Sequence, residues 1–229
     1  MNDYSNLPYF IFNGVKSTDM GIIIKQLPPI TKSEKDIDTL TVSGRNGNLH
    51  IDNKTYRSKK YKISCIMMDD TRINELKTLL DGIGTLEIST EPGIEYKATI
   101  LNQIDFAKYL KYLKEFSINF ELDPIGYSKN YITNLYTENQ EFIVDGTFGV
   151  SPLLTISGIG VITLNNVQVQ VLESGITIDC DLMNCTKNNI NMNDKVNLDE
   201  FPSLKVGNNS IVLGDGIDSV EVKYKEGWL

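Results

Sequence analysis

Two carboxylates at the end of an apolar segment are the strongest candidates for acid–base chemistry in this sequence. Asp179 and Asp181 are separated by Cys180 within residues 176–182, so a β-strand there would place both side chains on one face. Such a pair can act as general acid and general base, or bind a hard cation. Acidic residues at exposed strand ends are far more common, and we therefore predict that both are surface residues without a catalytic role.

Histidine and cysteine residues do not form a recognisable active site. The one histidine, His50, lies between Leu49 and Ile51 in an alternating segment beside a turn, which predicts a solvent-facing strand residue. No G-x-S-x-G motif is present. The three cysteines, which are Cys65, Cys180 and Cys185, are odd in number and lie in strand-like segments. This pattern favours reduced thiols over a disulfide framework or a structural zinc site.

Motifs for calcium and for phosphate groups are incomplete. Asn189, Asn191 and Asn193, followed by Glu200, imitate a calcium-loop spacing, but the first ligand is not Asp and Asp194 stands where Gly is needed. The Gly-Ile-Gly at residues 158–160 precedes a predicted strand instead of a helix, which indicates a turn. We therefore predict no catalytic, cofactor-binding or metal-binding residues, and no enzyme activity.

The composition is that of a folded, acidic protein. Hydrophobic residues make up 41% of the 229 residues, which is enough for a core, and charged residues make up 23%. The 30 acidic and 22 basic side chains give a formal charge of −8, which opposes binding to nucleic-acid backbones and anionic lipid. No apolar run reaches the roughly 18–20 residues of a membrane-spanning helix, and the chain start lacks a signal-peptide pattern. We expect no specific nucleic-acid binding, no membrane insertion and synthesis in a cytoplasm.

One basic segment with aromatic residues is an exception to the acidic character. This segment could bind along a single-stranded nucleic acid. Lysines on an edge strand also prevent unwanted pairing between sheets, and we favour this second interpretation. The segment contains Tyr56, Arg57, Lys59, Lys60, Tyr61 and Lys62.

The first half of the chain predicts β-strands and a single helix. Residues 43–48 contain two glycines and two asparagines between alternating apolar residues, which is typical of a hairpin turn. A helix is predicted from a cap at Asp70 or Thr71 to Gly82, with an apolar stripe that packs on a sheet. The clearest alternation in the chain predicts a strand with one buried face, formed by Phe116, Ile118, Phe120 and Leu122.

The second half predicts an all-β domain. A turn-rich, polar stretch after Asp123-Pro124 suggests a domain boundary, and we place the domains at 1–130 and 131–229. Beyond it, short apolar segments are separated by Gly and Asn turns with no helical periodicity, which is typical of a β-sandwich or jelly roll.

The order of short motifs resembles the distal tail proteins of non-contractile, long-tailed phages and related prophages. In the first half these motifs are Phe12-Asn13-Gly14, Asp19-Met20-Gly21-Ile22, Val42-Ser43-Gly44-Arg45-Asn46-Gly47, the single helix, and the strand that runs into Asp123-Pro124. In the second half they are Gly146-Thr147, Ser151-Pro152, Ile156-Ser157-Gly158, Ile176-Thr177-Ile178-Asp179, Asn184, Phe201-Pro202, Leu204, Gly207-Asn208-Asn209 and Trp228-Leu229.

The resemblance implies a fold and a structural role. It implies a mainly β protein with an N-terminal tail-tube-like domain and a C-terminal galectin-like jelly roll. Six copies would form a ring, which could stack, at the distal end of the tail in the virion. The ring would connect the tail tube protein to tail tip or receptor-binding proteins, after assembly in the bacterial cytoplasm.

Two other functions remain open at this stage. A jelly roll can be a carbohydrate-binding module for host-surface recognition, for which the candidate aromatic residues are Phe148, Tyr224 and Trp228. A tail-associated hydrolase would need paired acids in a cleft, and Asp179 with Asp181 is the available pair.

Overall fold

The computed structural model describes residues 7–67, 72–101, 103–104, 107–110 and 113–229. The chain divides into two compact units, residues 1–126 together with Leu229, and residues 127–228. The predicted fold class is confirmed, because the structure is mainly β with one α-helix among the described residues. The assignment of independent domains to residues 1–130 and 131–229 stays a prediction. In the described part of the chain, no helix has the length and apolar character to cross a membrane.

Among its described residues, the first unit contains ten strands and the α-helix. Their bounds are β1 Phe10–Phe12, β2 Val15–Lys16, β3 Ile22–Gln26, β4 Lys35–Thr41, β5 Asn48–Tyr56, β6 Lys59–Met67, α1 Ile73–Leu79, β7 Ile83–Ile88, β8 Ile94–Ile100, β9 Ala107–Leu110 and β10 Leu113–Leu122. Seven strands form an antiparallel sheet in the order β2-β1-β7-β8-β10-β6-β3, and β9 pairs with β10. Strands β4 and β5 pair separately as a hairpin.

The core of the first unit lies on one face of this sheet. Phe116, Ile118, Phe120 and Leu122 of β10 are all buried, as the alternation predicts. The ring of Phe120 lies 6.1 Å from that of Phe10 and 5.6 Å from that of Phe12, measured between centroids. Strand β1 is three places from β10 in the sheet order, so these contacts require the sheet to curl around its core.

The helix covers part of the same core. Leu76 and Leu80 are buried, and Ile73 and Leu79 pack against the cluster, which confirms the predicted apolar stripe. The helix begins after Arg72, which provides no side-chain cap, and the predicted cap residues 70 and 71 lie outside the described residues. Gly82 has a φ of 71°, the left-handed conformation expected after the helix.

The second unit contains thirteen strands, the first of which begins at the preceding residue, Gly126. Their bounds are β11 Gly126–Ser128, β12 Ile132–Tyr136, β13 Gln140–Val144, β14 Leu153–Gly158, β15 Gly160–Leu164, β16 Val167–Val171, β17 Ile176–Asp179, β18 Asn184–Lys187, β19 Ile190–Asn191, β20 Val196–Leu198, β21 Gly207–Leu213, β22 Ile217–Tyr224 and β23 Gly227–Trp228.

Two antiparallel sheets of the second unit face each other across one core. The orders are β12-β22-β14-β17-β18-β19 and β13-β21-β15-β16-β20. Leu154 and Ile178 of the first sheet and Ile162 and Val169 of the second belong to the same buried cluster. Alternate residues of each strand point inward, which gives the predicted β-sandwich. The galectin-like jelly-roll assignment stays a prediction.

Three segments of the second unit differ from the sequence-based expectations. The strand predicted over 176–182 ends at Asp179, and a turn follows. The polar stretch taken as a boundary region contains β12 and β13, each at the edge of its sheet. Leu204 forms an isolated bridge with Val150 instead of a strand.

Replacement of Phe120 tests the curled core of the first unit. We expect Phe120→Ala to lower the free energy of unfolding by about 3–5 kcal/mol, because it removes a fully buried ring that contacts two others and leaves a cavity. Urea denaturation followed by circular dichroism measures the change. Lys62→Ala, on the exposed face of β6, is the control. An equal effect of the two substitutions would contradict this packing.

Candidate functional site

The hairpin of β4 and β5 exposes an apolar face. Leu40 pairs directly with Leu49, and Asp38 with Ile51, so the side chains of Leu40, Leu49 and Ile51 lie on one side, with the Asp38 carboxylate beside them. Val42 follows two residues after Leu40. These four side chains are between 38% and 50% exposed, and no other described element covers them. We call Leu40, Val42, Leu49 and Ile51 the hairpin face.

The opposite side of the hairpin is largely polar. His50 lies on this side, where its Nδ1 is 3.3 Å from the hydroxyl of its cross-strand partner Thr39. It is exposed, as predicted from the sequence. Thr41 and Asn48 form the neighbouring pair through a 3.3 Å hydrogen bond. The hairpin is therefore amphipathic, although neither side packs on a core.

Ion pairs fix the base of the hairpin. The Arg57 Nε donates to Asp36 at 2.9 Å, and the Lys35 Nζ donates to Asp52 at 2.9 Å. These hydrogen bonds lower the pKa of both carboxyl groups. Asp52 also accepts from the backbone N–H of Lys54, whose φ of 58° marks an irregularity in β5. The carboxylates at this base consequently stay ionised at neutral pH.

The predicted basic segment does not form one surface. Arg57 is engaged at the hairpin base, and the Lys59 Nζ lies 4.6 Å above the ring of Tyr96. Burial lowers the pKa of Lys59. Lys60 and Lys62 point to the other face of β6. The edge-strand explanation stays a prediction, because β3 pairs with residues 64–67 of β6 and no described strand pairs with residues 59–62 on that side.

A cleft of about 450 Å³ lies in the second unit. Its polar side chains include three tyrosines, two aspartates and two lysines, and they come from β11, from β17 and the turn after it, from the end of β22 and from the segment before β12. Ser151, Pro152 and Leu182 complete much of its wall. We call it the tyrosine cleft, and define it by Tyr127, Tyr131, Asp179, Asp181, Lys223 and Lys225.

Asp179 shapes the turn at one wall of the tyrosine cleft. Its Oδ1 accepts hydrogen bonds from the backbone N–H groups of Asp181 at 3.1 Å and Leu182 at 2.9 Å. This local bonding favours a turn over continuation of the strand. The expectation that Asp179 and Asp181 share one strand face is therefore wrong, because β17 ends at Asp179 and Asp181 lies in the turn. The turn nevertheless brings both residues to the same cleft.

Lysines and a tyrosine interact at another wall. The Nζ atoms of Lys223 and Lys225 lie 4.6 Å and 5.0 Å from the centre of the Tyr131 ring. Ammonium groups at such distances are attracted by the negative face of the ring. These contacts restrict the orientation of the two lysines, although Tyr131 itself stays 59% exposed.

The exposed aromatic residues of the cleft differ from the three expected for sugar stacking. Of those three, Tyr224 is buried, with burial raising its pKa, and Phe148 and Trp228 are partly buried. Tyr127 and Tyr131 are the exposed rings. Both lie in the stretch interpreted as a domain boundary, and local patterns there did not predict that they lie beside Asp179 and the lysines.

The other motif residues have structural roles. The Asn193 Oδ1 accepts the backbone N–H of Cys185 at 2.7 Å, and Asn191 donates to Asn184 at 3.0 Å, so these side chains stabilise a turn. Among the residues that the structure describes, no group of three or more His, Cys, Asp and Glu side chains could hold a metal ion.

All three cysteines are buried and unpaired. Burial raises the pKa of the Cys65 and Cys180 thiols to about 12 and raises that of Cys185 as well. Their thiols are consequently protonated and poorly reactive at neutral pH.

Comparison with solved structures identifies the fold. The structure matches the Dit protein (gp 19.1) of phage SPP1 over 98% of this chain and 100% of that chain, with a TM-score of 0.78 and 14% sequence identity. The chain has the fold of a phage Dit protein. The SPP1 Dit protein is described as a paradigm of the hub adsorption apparatus in phages that infect Gram-positive bacteria.

Other comparisons give weaker results or none. Two structures of the phage P2 baseplate in its activated conformation, with Ca and with Sr, each match at a TM-score of 0.48 and 10% identity, over 96% of this chain and 97% of theirs. No protein-family model matches the sequence. No curated protein matches it significantly.

The Dit fold confirms the predicted resemblance to distal tail proteins at the level of structure. It accounts for the two-unit, mainly β organisation along nearly the whole chain. The tail-tube-like and galectin-like assignments, and the prediction that the chain lacks catalytic, cofactor-binding and metal-binding residues, stay predictions.

The turn at Asp179 gives a stability test. We expect Asp179→Ala to lower the free energy of unfolding by about 1 kcal/mol, because two backbone N–H groups lose their acceptor. This corresponds to a fall of roughly 2–4 °C in the thermal midpoint, measured by circular dichroism. Asp181→Ala is the matched control, because the Asp181 side chain makes no such bond. A larger fall for the control would contradict the role of Asp179.

Proposed function

We propose that this protein is a structural subunit of the distal end of a phage tail, where six copies form a ring. In this model the ring connects the tail tube protein to tail tip or receptor-binding proteins, and rings could stack. The protein would assemble in the bacterial cytoplasm and remain in the virion. The observation that carries the proposal is the hairpin face, an apolar surface that the protein's own cores leave uncovered.

The low stability expected of an isolated hairpin supports the proposal that a partner covers it. A two-stranded hairpin by itself is marginally stable in water, and this one places four large apolar side chains on one exposed side. Contiguous exposed apolar side chains of this kind mark interaction surfaces. Burial against a neighbouring copy would remove their remaining exposed area from water and stabilise the hairpin.

A ring explains why the hairpin face need not be self-complementary. In a closed ring of identical subunits, each contact joins two different surfaces, so the hairpin of one copy packs on another part of its neighbour. Exposed strand edges supply further surfaces of the right kind, because they carry backbone groups that can pair with another chain.

The fold supports the location in the tail. The likeness to the SPP1 Dit protein covers both units, which supports a role of the same kind for this chain. The acidic charge of −8 agrees with a subunit that does not hold DNA. A structural, non-enzymatic role is consistent with the incomplete catalytic motifs.

The alternative function, carbohydrate binding at the host surface, has an observation of its own. The tyrosine cleft combines exposed aromatic rings with charged groups. It is compatible with a ring-forming subunit, because the two functions use different surfaces of the chain.

Charge placed on the hairpin face tests the ring. We expect the double substitution of Leu40→Asp and Leu49→Asp to weaken self-association at least about a hundredfold, because each interface would bury two carboxylates without partners. Mass photometry across a concentration series measures the fraction of hexamers and stacked rings for each variant.

The polar side of the same hairpin provides the matched control. Thr39→Asp with Thr41→Asp adds the same charge on the other side, and the ring should persist. Circular dichroism checks that both variants fold. A wild-type chain that stays monomeric, both alone at high concentration and with the tail tube protein, would refute the proposal.

A further inference from the structure

We propose that the tyrosine cleft is a binding site for a neutral oligosaccharide. It joins two exposed tyrosines to a pair of aspartates and a pair of lysines within one cleft of the second unit. This inference deepens and rests on the carbohydrate-binding function proposed above as the alternative, and it is independent of ring formation, because none of the cleft residues belongs to the hairpin.

The charged groups of the cleft are balanced and not neutralised by ion pairs. Asp179 and Asp181 contribute two negative charges, and Lys223 and Lys225 two positive charges. Among the described residues, none of these four side chains takes part in a salt bridge. Asp179 uses one carboxylate oxygen for the turn, so its other oxygen and the Asp181 carboxylate can accept bonds from a ligand.

The equal numbers of negative and positive groups in the cleft favour a ligand without a net charge. A strongly anionic ligand would approach the aspartates unfavourably, and a cationic ligand would approach the lysines unfavourably. A hydroxyl group can donate to a carboxylate and accept from an ammonium group. A ring bearing several hydroxyl groups therefore satisfies both pairs without a net charge, and hydrogen bonds to charged groups are the stronger ones.

The tyrosines provide the apolar contact that a sugar ring also needs. Tyr131 is 59% exposed and Tyr127 is 41% exposed, so each presents a flat surface with a polar tip. Tyrosine gives a large contact area at a low cost in side-chain entropy. Leu182, which is 73% exposed at the rim, adds an aliphatic surface for the C–H groups of a sugar.

The size and rigidity of the cleft suit a short oligosaccharide. Its volume of about 450 Å³ lies within the range of small-molecule sites. Its walls are strand ends and a hydrogen-bonded turn, and the lysines are held against Tyr131. Such preorganisation reduces the entropy lost on binding.

A printed array of oligosaccharides is the first experiment. The purified full-length protein is applied to neutral, anionic and amino-substituted oligosaccharides, and the best neutral one is then titrated by calorimetry. We expect neutral members to bind. No binding to any neutral member, or binding confined to anionic members, would overturn the proposal.

Variants locate the site of binding. We expect Tyr131→Ala to weaken the affinity for the selected neutral oligosaccharide at least about tenfold, because the ring surface is lost and both lysines are released. The double substitution of Lys223→Gln and Lys225→Gln should weaken it about three- to tenfold, since amides still donate hydrogen bonds.

A tyrosine of the first unit is the matched control. Tyr9 also has a lysine over its ring, with the Lys16 Nζ at 4.0 Å from the centre, but it does not line the cleft. Tyr9→Ala should leave the affinity unchanged. Equal binding by wild type and Tyr131→Ala, with both proteins folded by circular dichroism, would overturn the assignment to this cleft. Mass photometry of the same variants reports ring formation separately.

Discussion

The alternation of side chains along antiparallel strands is the constraint on which this structure depends. A strand directs every second residue to the same face, so a sheet can bury one face completely while the other stays in contact with water. In the first unit, the curled sheet and α1 enclose the buried face that contains Phe120. In the second unit, two sheets bury their faces against each other. Strands β4 and β5 contain no buried residue, which supports the proposal that their apolar side packs on a partner.

Local patterns predicted most of the first unit. The alternation through Phe116 and Phe120 identified β10, and the glycine-rich residues 43–48 identified the hairpin turn, since both signals are short in range. The helix was predicted from its apolar stripe for the same reason. What this reasoning did not show is that the hairpin pairs separately from the main sheet. Whether a strand packs on a core depends on distant residues, which periodicity does not report.

The tyrosine cleft was less predictable, because its parts are distant in sequence. Tyr131, Asp179 and Lys223 meet through the order of strands in the sheet, and that order is set by pairing over long separations. The polar residues near Tyr131 suggested a linker, but the chain there leads into the edge strand β12, in which Thr133 and Leu135 face water and Tyr136 is buried. Local patterns did not predict the turn after Asp179, because Ile178 and Cys180 on either side of it are apolar residues typical of a strand. Asp179 bonds to its own following backbone, and such a bond competes with strand continuation.

The three buried thiols have a consequence for the proposed virion subunit, which would leave its host cell. Burial raises the pKa of Cys65 and Cys180 to about 12, so both are protonated at pH 7, and the thiolate is the reactive species. A subunit made in a reducing cytoplasm would therefore meet oxygenated surroundings with Cys65 and Cys180 chemically unchanged. In the proposed ring, these buried thiols would not link neighbouring copies covalently, so the contacts between copies would be noncovalent.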